Sequence, residues 1–337
     1  MMTIRHVAQR AGVAVSTVSR VLNGSGHVSP ETRLKVQRAI ADLDFRPNML
    51  ARGLIRRTTF TIALILPDLS NPFYAPLALG VEAAARAAGY SVILCNTENS
   101  AEAVGEWTRH LRKMWIDGVL FATDPSPADI WALHEDRIPF VFVDQEVAGF
   151  DADRVLINAR EGARQAVRHL VELGHRRIAH IVGPSLGGFE RYAGYCEGLA
   201  DAGLDVLAEL VSKPGDFTAD HGYAAMQALL ALPDARRPTA VFCVNDLAAA
   251  GAIRAAESAG LRVPADLSIV GYDDIIWAQY MNPALTTVAQ PVERLGRLTT
   301  ELLLKRMNEE AAGPPQRICL STSLVVRESS APPRSRN

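Results

Sequence analysis

Cysteine is scarce. The chain has 337 residues and four cysteines, Cys95, Cys196, Cys243 and Cys319, and no pair stands at C-x-x-C spacing. That spread excludes a disulfide framework, a cysteine-bound metal and a dithiol motif, and predicts buried reduced thiols. No run of about 18 apolar residues exists, which excludes a transmembrane helix. The opening Met1-Met2-Thr3-Ile4-Arg5-His6 lacks the apolar stretch of a secretory signal. G-x-G-x-x-G, P-loop and G-x-S-x-G signatures are absent as well, so no catalytic residue, metal or cofactor is assigned.

Acids are scarce at the start of the chain. Residues 1–60 hold ten Arg or Lys and three acids, a net +7, which leaves −9 on the rest of a chain whose total is −2. A basic head on an acidic body predicts a polyanion-binding module joined to something else. At this length two or three domains are expected.

The head reads as three short helices. Thr3 can cap a first one over Ile4–Arg10, and Gly12 supplies a tight turn. A second runs over Val15–Leu22. Ser29-Pro30-Glu31 opens a third, with Ser29 as N-cap and Pro30 at the first helical position. Two helices joined by a Gly turn within about twenty residues form a helix-turn-helix layout. The second helix of such a unit enters the major groove, which points to Val15, Ser16, Thr17 and Arg20 at base edges. Arg20 suits a bidentate guanine contact and Val15 a thymine methyl. Thr3, Ser19, Asn23, His27, Ser29 and Thr32 are placed to bond phosphates, although a Ser or Thr there also serves simply as a helix cap.

Thr3-Ile4-Arg5-His6-Val7-Ala8, Gly12-Val13 and Ser16-Thr17-Val18-Ser19-Arg20-Val21-Leu22-Asn23 together resemble the DNA-binding head of the lactose/galactose-repressor family. Two positions depart from that pattern: His6 replaces a usual acid, and Ala14 a usual capping Ser. Residues 46–57 resemble the family's hinge helix, which forms on the operator. The resemblance implies DNA contacts by Asn48, Ala51, Arg52 and Leu54, with Leu54 as the minor-groove wedge. About nine helical residues containing Gly53 are marginal alone, which fits a segment that orders on DNA.

From Thr59 onward, short apolar runs alternate with amphipathic stretches. Thr61–Pro67, Ser91–Asn96, Gly118–Ala122 and Phe140–Asp144 read as one series of buried parallel strands. Arg177–Gly183, Thr239–Asn245 and Leu267–Asp273 read as a second. Pro76–Ala88, Ala101–Trp115, Glu161–Leu173, Arg191–Ala202, His221–Ala231 and Leu247–Ala259 read as the helices between. The predicted fold is therefore an all-α helix-turn-helix head plus an α/β, periplasmic-binding-protein-like body of two doubly wound parallel-sheet lobes. The expected divisions are 1–46 for the head, 47–58 for the hinge and 59–328 for the body. Lobe 1 takes about 59–156 and 289–317, lobe 2 about 157–288 and 318–328, and 329–337 form a disordered tail.

Ligands of such sheets sit at the carboxyl ends of the strands. Asp68, Asn71, Asp144, Asn245, Asp246 and Asp273 stand there. Helix capping is the competing reading, favoured for Asp68 and Asp246. By resemblance the effector contacts are Asn71, Phe73, Tyr74, Asp144, Arg191, Phe217, Asn245, Asp273 and Gln290. Their amides, carboxylates, guanidinium and flat rings suit a sugar, with a pentose such as ribose first. Gln145 stands where the ribose-binding transport protein has an arginine. His175 and His180 read as surface or capping residues, and Trp277 either closes one wall or packs at a surface.

The expected partners are a pseudo-palindromic double-stranded operator, a small-molecule effector and a second copy of the chain. The resemblance places dimer contacts along the helix after Tyr74 and around Ala248–Leu261. A cytoplasmic place on the bacterial nucleoid follows, with no membrane partner. A solute-binding protein without DNA function, a purine-responsive regulator and a sugar-processing enzyme are the alternatives. The missing catalytic signatures argue against the enzyme, and the basic head argues against the solute-binding protein.

Overall fold

A computed structural model describes residues 2–23, 27–45, 58–308 and 313–334. It divides into two compact units that meet in sequence between Thr59 and Phe60. Each of the two has its own core.

The first unit is helical. α1 (Ile4–Ala11) stops where Gly12 turns left-handed at φ +67, a conformation that costs glycine nothing. α2 (Val15–Asn23) follows, with the Ala14 carbonyl accepting the Thr17 and Val18 amides. α3 (Pro30–Asp42) starts at Ser29, whose hydroxyl accepts the Thr32 amide. Val7, Ala8, Val18, Val36, Ala39 and Phe45 make the core. His6 takes over the task of an acid at its position: its Nδ1 accepts the Thr3 amide at 3.1 Å, satisfying a donor that α1 leaves open.

The second unit is built on two sheets. The first comprises β1 (Thr61–Leu66), β2 (Ser91–Asn96), β3 (Gly118–Phe121), β4 (Phe140–Val143), β5 (Arg154–Ile157) and β10 (Arg317–Leu320). Its order is β10-β5-β4-β3-β1-β2, parallel throughout. The second comprises β6 (Ile178–Ile181), β7 (Ala240–Cys243), β8 (Ser268–Asp273), β9 (Thr286–Ala289) and β11 (Ser323–Val325). Its order is β11-β9-β8-β7-β6, with only β11 antiparallel. Strands β1, β3, β4, β6, β7 and β8 are buried on both faces, hence their continuous apolar runs, while the edge strands β2, β10 and β11 are partly exposed. The expected class, a helical head with a two-lobed α/β body, is the one observed. The pattern did not show β5, β9, β10 or the helix Pro127–Glu135, short pieces with charged or polar ends.

Helices cover both sheets. α4 (Tyr74–Ala87), α5 (Ala101–Lys113) and α6 (Pro127–Glu135) belong to lobe 1. α7 (Ala159–Glu172), α8 (Ser185–Asp201), α9 (Ala219–Leu230) and α10 (Asp246–Ser258) belong to lobe 2. α11 (Val292–Met307) follows β9 and packs beside α4 on the first sheet. The chain therefore crosses between lobes after β5, after β9 and after β10. No described helix is long and apolar enough to cross a membrane.

Residues 329–334 correct the expectation of a disordered tail. Ser329 is fully buried; its hydroxyl donates to the Ile269 carbonyl at 2.6 Å and accepts the Thr286 amide at 2.8 Å. Arg334 reaches Asp266 at 2.7 Å. Composition suggested disorder because the tail is held by bonds to Ser268, Ile269, Thr286 and His175, far back in the chain, which leave no periodicity in Pro and Ser residues. Residues 335–337 lie outside the described ones. The histidines are a second correction. His175 bonds Thr239, Ser268 and the Ala331 carbonyl, and His180 is fully buried on β6, stacked between Tyr195 and Phe242. Burial pushes the His180 imidazole down to about 4, so it packs as a neutral ring. Cys95 and Cys243 are buried, but Cys196 is half-buried and Cys319 exposed.

α9 and α10 approach so closely that glycine is required on both. A Cβ on Gly222 would collide with the Ala248 carbonyl, and one on Gly251 with the Ala219 carbonyl. Both obstacles are helix backbone, which moves only with its helix. Gly251→Ala should therefore destabilise the body by about 1–3 kcal/mol, read as a lower urea midpoint. An unchanged midpoint would show that the helix pair can separate at no cost.

Candidate functional site

Two regions carry the expected functional residues. On α2, Val15, Ser16 and Arg20 are exposed while Val18 is buried. Positions i, i+1, i+4 and i+5 of a helix share a face, so Val15, Ser16, Ser19 and Arg20 form one edge opposite the core. Thr17 is half-buried, on the rim of that face. Thr3 and His27 are exposed. Ser29 and Thr32 bond each other, hydroxyl to hydroxyl, at 2.8 Å, so capping is one task they have. The side chain of Asn23 is not described, and Asn48, Ala51, Arg52 and Leu54 lie outside the described residues.

In the second unit, a cleft opens at the carboxyl ends of both sheets. Seven of the nine expected residues line it: Asn71, Phe73 and Tyr74 after β1, Asp144 after β4, Arg191 on α8, Phe217 before α9, and Asp273 at the end of β8. The side chains are locally fixed. Asn71 Oδ1 accepts the Phe73 amide at 3.0 Å, and Asp144 Oδ1 accepts the Ile157 amide at 2.8 Å. The Phe73 and Tyr74 rings meet edge to face, 5.1 Å between centroids. Arg191 Nη1 donates to the Val244 carbonyl at 2.6 Å, Nη2 stands 3.5 Å from Asp273, and the guanidinium carbon lies 4.0 Å over the Tyr272 ring.

Gln290 reaches the same cluster from behind, donating to Asp273 Oδ1 at 2.6 Å. Asn245 does not line the cleft. Its Oδ1 caps α10 at the Ala248 amide and its Nδ2 donates to the carbonyl of Phe217, a lining residue, so it positions that residue from outside the cleft. Of the two residues read as caps, Asp68 accepts the Ser70 amide in a local turn. Asp246 is fully buried and accepts the Thr287 hydroxyl and the Ile275 amide. Trp277 is exposed. Gln145, noted in the sequence but not assigned as a contact, also lines the cleft, as do Ser185, Gly187, Leu77 and Leu295, which sequence reasoning left out. Ser185 and Gly187 follow β6 and were legible by the strand-end rule. Leu77 and Leu295 look like any core leucine in a pattern.

Asp144 and Asp273 both have positive φ, at 53 and 115. Non-glycine residues are held there at a cost, and such strain gathers at functional positions. Among the described residues, five buried side-chain polar atoms have no partner, and three belong to this cluster: Gln145 Oε1, Arg191 Nε and Gln290 Oε1. Such atoms are expensive unless something bonds them. Among the described residues no group of three or more His, Cys, Asp or Glu is arranged to hold a metal ion.

Burial raises the Asp144 and Asp273 carboxyls to about 6, with Arg191 pulling the other way. Below the ordinary aspartate value of 3.8 both folded and unfolded chains carry the proton, and the shift has no effect. As pH rises through about 6 the folded state must hold a buried charge, so stability falls. Asp144→Asn should stabilise the ligand-free protein by on the order of 1–3 kcal/mol at pH 7.5, with the gain fading towards pH 4. Urea midpoints at the two pH values measure it. An equal gain at both would rule out the buried charge as its source.

Residues 3–48 match the model of bacterial regulatory proteins of the lacI family, and residues 167–330 that of a periplasmic binding protein-like domain. The HTH-type transcriptional repressor PurR of Erwinia tasmaniensis is 41% identical over 98% of this chain and 97% of its own. The chain belongs to the lacI family. It is a DNA-binding transcriptional repressor, not an enzyme, in line with its relatives. The HTH-type transcriptional regulator CelR of Thermobifida fusca is 40% identical over 97% of this chain and 98% of its own. A solved CelR–cellobiose complex covers 98% of this chain and all of its own, at 38% identity and TM-score 0.74. A lac repressor dimer bound to operator and an anti-inducer covers 98% of this chain and 99% of its own, at 30% identity and TM-score 0.86. A lacI-family regulator of Enterococcus faecium with bound ribose covers 81% of this chain and all of its own, at 32% identity and TM-score 0.73.

Proposed function

We propose that the protein binds a two-fold operator as a homodimer and that a sugar in the cleft sets its operator affinity. The observation that carries the effector half is the set of unpartnered atoms on Gln145, Arg191 and Gln290, beside carboxylates from both lobes. A ring bearing several hydroxyls can bond those of Gln145 and Arg191, which line the cleft, with Phe73 and Phe217 against its C–H faces. Asn71 and Asp144 belong to lobe 1 and Arg191 and Asp273 to lobe 2, so such a ligand bridges the lobes and favours their closure. Solved relatives hold cellobiose and ribose, which supports a sugar. A pentose such as ribose is the first candidate. A planar purine is the second reading, since two flat rings would suit it too.

For the DNA half, the exposed edge of α2 supplies base contacts by Val15, Ser16, Thr17 and Arg20. Thr3, Ser19, Asn23, His27, Ser29 and Thr32 bond phosphates. One short helix reads too little sequence alone, so two copies are needed, and the lac repressor relative binds operator as a dimer. Exposed Leu79 on α4 and Leu94 on β2 supply apolar surface on lobe 1, and Ile276, Trp277 and Tyr280 on lobe 2. The segment around Ala248–Leu261 stays a candidate through its outward face, where Arg254, Glu257 and Ser258 are exposed while Ala248, Ala249, Ala252 and Ile253 pack inward.

A thermal-shift screen with D-ribose, other pentoses, hexoses and purines tests the effector. Saturation at 100 times Kd adds about 2.7 kcal/mol, and a gel shift on operator DNA shows the coupling. A clear shift with a purine and none with any sugar would overturn the sugar reading and leave the repressor standing.

A further inference from the structure

We propose that a second groove, where the chain crosses from β9 into α11, binds a small hydroxy-carboxylate at a site of its own beside the effector cleft.

The groove shares only Phe73 and Asp273 with the cleft. Its other walls come from Pro72 and Pro76 around the start of α4, from the loop after β8, and from the first turns of α11. Gln290 lines it and is only 9% exposed. The Gln290 Nε2 donates to Asp273 Oδ1 at 2.6 Å. That bond fixes the amide, because the turned-over form would set oxygen against carboxylate. Oε1 is therefore the acceptor left over, sealed from solvent and without a partner. Gln290 does not line the cleft, so the groove is the side from which a hydroxyl can reach this oxygen.

The charge comes from α11. Arg294 and Arg297 stand three positions apart on one face of the helix, and both line the groove. Neither makes an ion pair or a side-chain hydrogen bond with any described residue. The helix begins at Pro291 with no side-chain cap, so its first-turn amides are open as donors on the same wall. Three acids also line the groove. Asp274 is taken by Arg327 at 2.7 Å, and Asp273 by Gln290 and Arg191. Two arginines against the remaining Glu293 leave one positive charge. A carboxylate cancels that charge, and a phosphate dianion overshoots it. A ligand with its carboxylate on the arginines and a hydroxyl on Gln290 Oε1 satisfies both ends of the groove.

Calorimetric titrations of the full chain at pH 7.5 and low salt test the site, with D-glycerate and D-gluconate as probes. Acetate, which lacks a hydroxyl, and glucose 6-phosphate, which carries a dianion, are the comparisons. Wild type should bind at least one of the two hydroxy acids, and acetate at least about 10-fold more weakly. Arg294→Gln combined with Arg297→Gln should weaken that acid about 100-fold. Both side chains are exposed, so the double variant should fold, which its melting temperature and an operator gel shift report. Wild type binding neither acid overturns the inference. So does the double variant binding the acid as tightly as wild type, which would move the ligand elsewhere. Glucose 6-phosphate binding more tightly than both acids, and losing that affinity in the double variant, overturns the carboxylate class. No neutral sugar is among the probes, so each of these results leaves the sugar reading of the cleft untouched.

Discussion

Asp273→Ala is expected to yield a protein that binds operator and no longer responds to sugar. Asp273 joins three elements. It ends β8, accepts the Gln290 amide at 2.6 Å and faces Arg191 at 3.5 Å. A hydrogen bond from a ligand hydroxyl to this carboxylate is charge-assisted, worth about 1.5–3 kcal/mol, which alone weakens binding roughly 10- to 100-fold. The second loss is organisation. Without Asp273 the Arg191 charge, buried beside Tyr272, loses its ion-pair partner and keeps only the more distant Asp144, and breaking a buried pair costs about 3–5 kcal/mol. The guanidinium should swing towards solvent and take the ligand's Nε partner with it. Wild type should melt higher with a saturating sugar, and Asp273→Ala should show no shift. Asp273→Asn, which keeps the shape and loses the charge, should fall between. Operator affinity without ligand should stay near wild type, because these residues belong to the second unit and the DNA contacts to the first. A full-sized ligand shift in Asp273→Ala would remove Asp273 from the contacts.

Arg20→Ala should lose operator recognition and keep weak binding to random duplex. Arg20 is exposed on the edge of α2 opposite Val18. A bidentate Arg–guanine contact discriminates by about 1–3 kcal/mol. A dimer uses two such helices, so the operator should lose roughly 2–6 kcal/mol if the halves add. Titrations of operator and random DNA at several salt concentrations separate the roles. A base contact lowers operator affinity alone. A phosphate contact lowers both equally and reduces the salt slope by about 1, and that result would move Arg20 to the backbone class.

The cleft shows where a linear reading stops. Asp144 and Asp273 were legible because a carboxylate directly after an apolar parallel strand must sit at the sheet's carboxyl edge, where ligands bind. Asn245 obeys the same rule and has a different task, because the residue that ends a strand also caps the next helix. Its amide satisfies the Ala248 amide and the Phe217 carbonyl. Strand-end position alone cannot separate these outcomes; the direction of the side chain does, and that depends on neighbours far along the chain. Gln145 was visible only as a departure from a pattern. Its importance comes from an unpartnered oxygen, a property that exists only once every nearby donor has a place.

Local chemistry in the sequence determined the helical head and the alternation of strands and helices. Gly12, Ser29 and Pro30 set helix ends by their own backbone and side-chain preferences, and short continuous apolar runs between turn signals favour strands of a covered parallel sheet. Local chemistry also determined the basic start of the chain and the absence of catalytic signatures. Tertiary structure alone decided the rest. Ser329, polar and near the end of the chain, is buried because two residues on the sheet, Ile269 and Thr286, bond its hydroxyl. His180 is a neutral ring in a stack because Tyr195 and Phe242 enclose it. The pairing of Arg191 with Asp273 spans 82 positions, and the cleft that holds both also needs Asp144 from the other lobe. Such contacts leave no local periodicity, since their energy comes from desolvation and from partners brought together only when the sheets and their crossovers are complete.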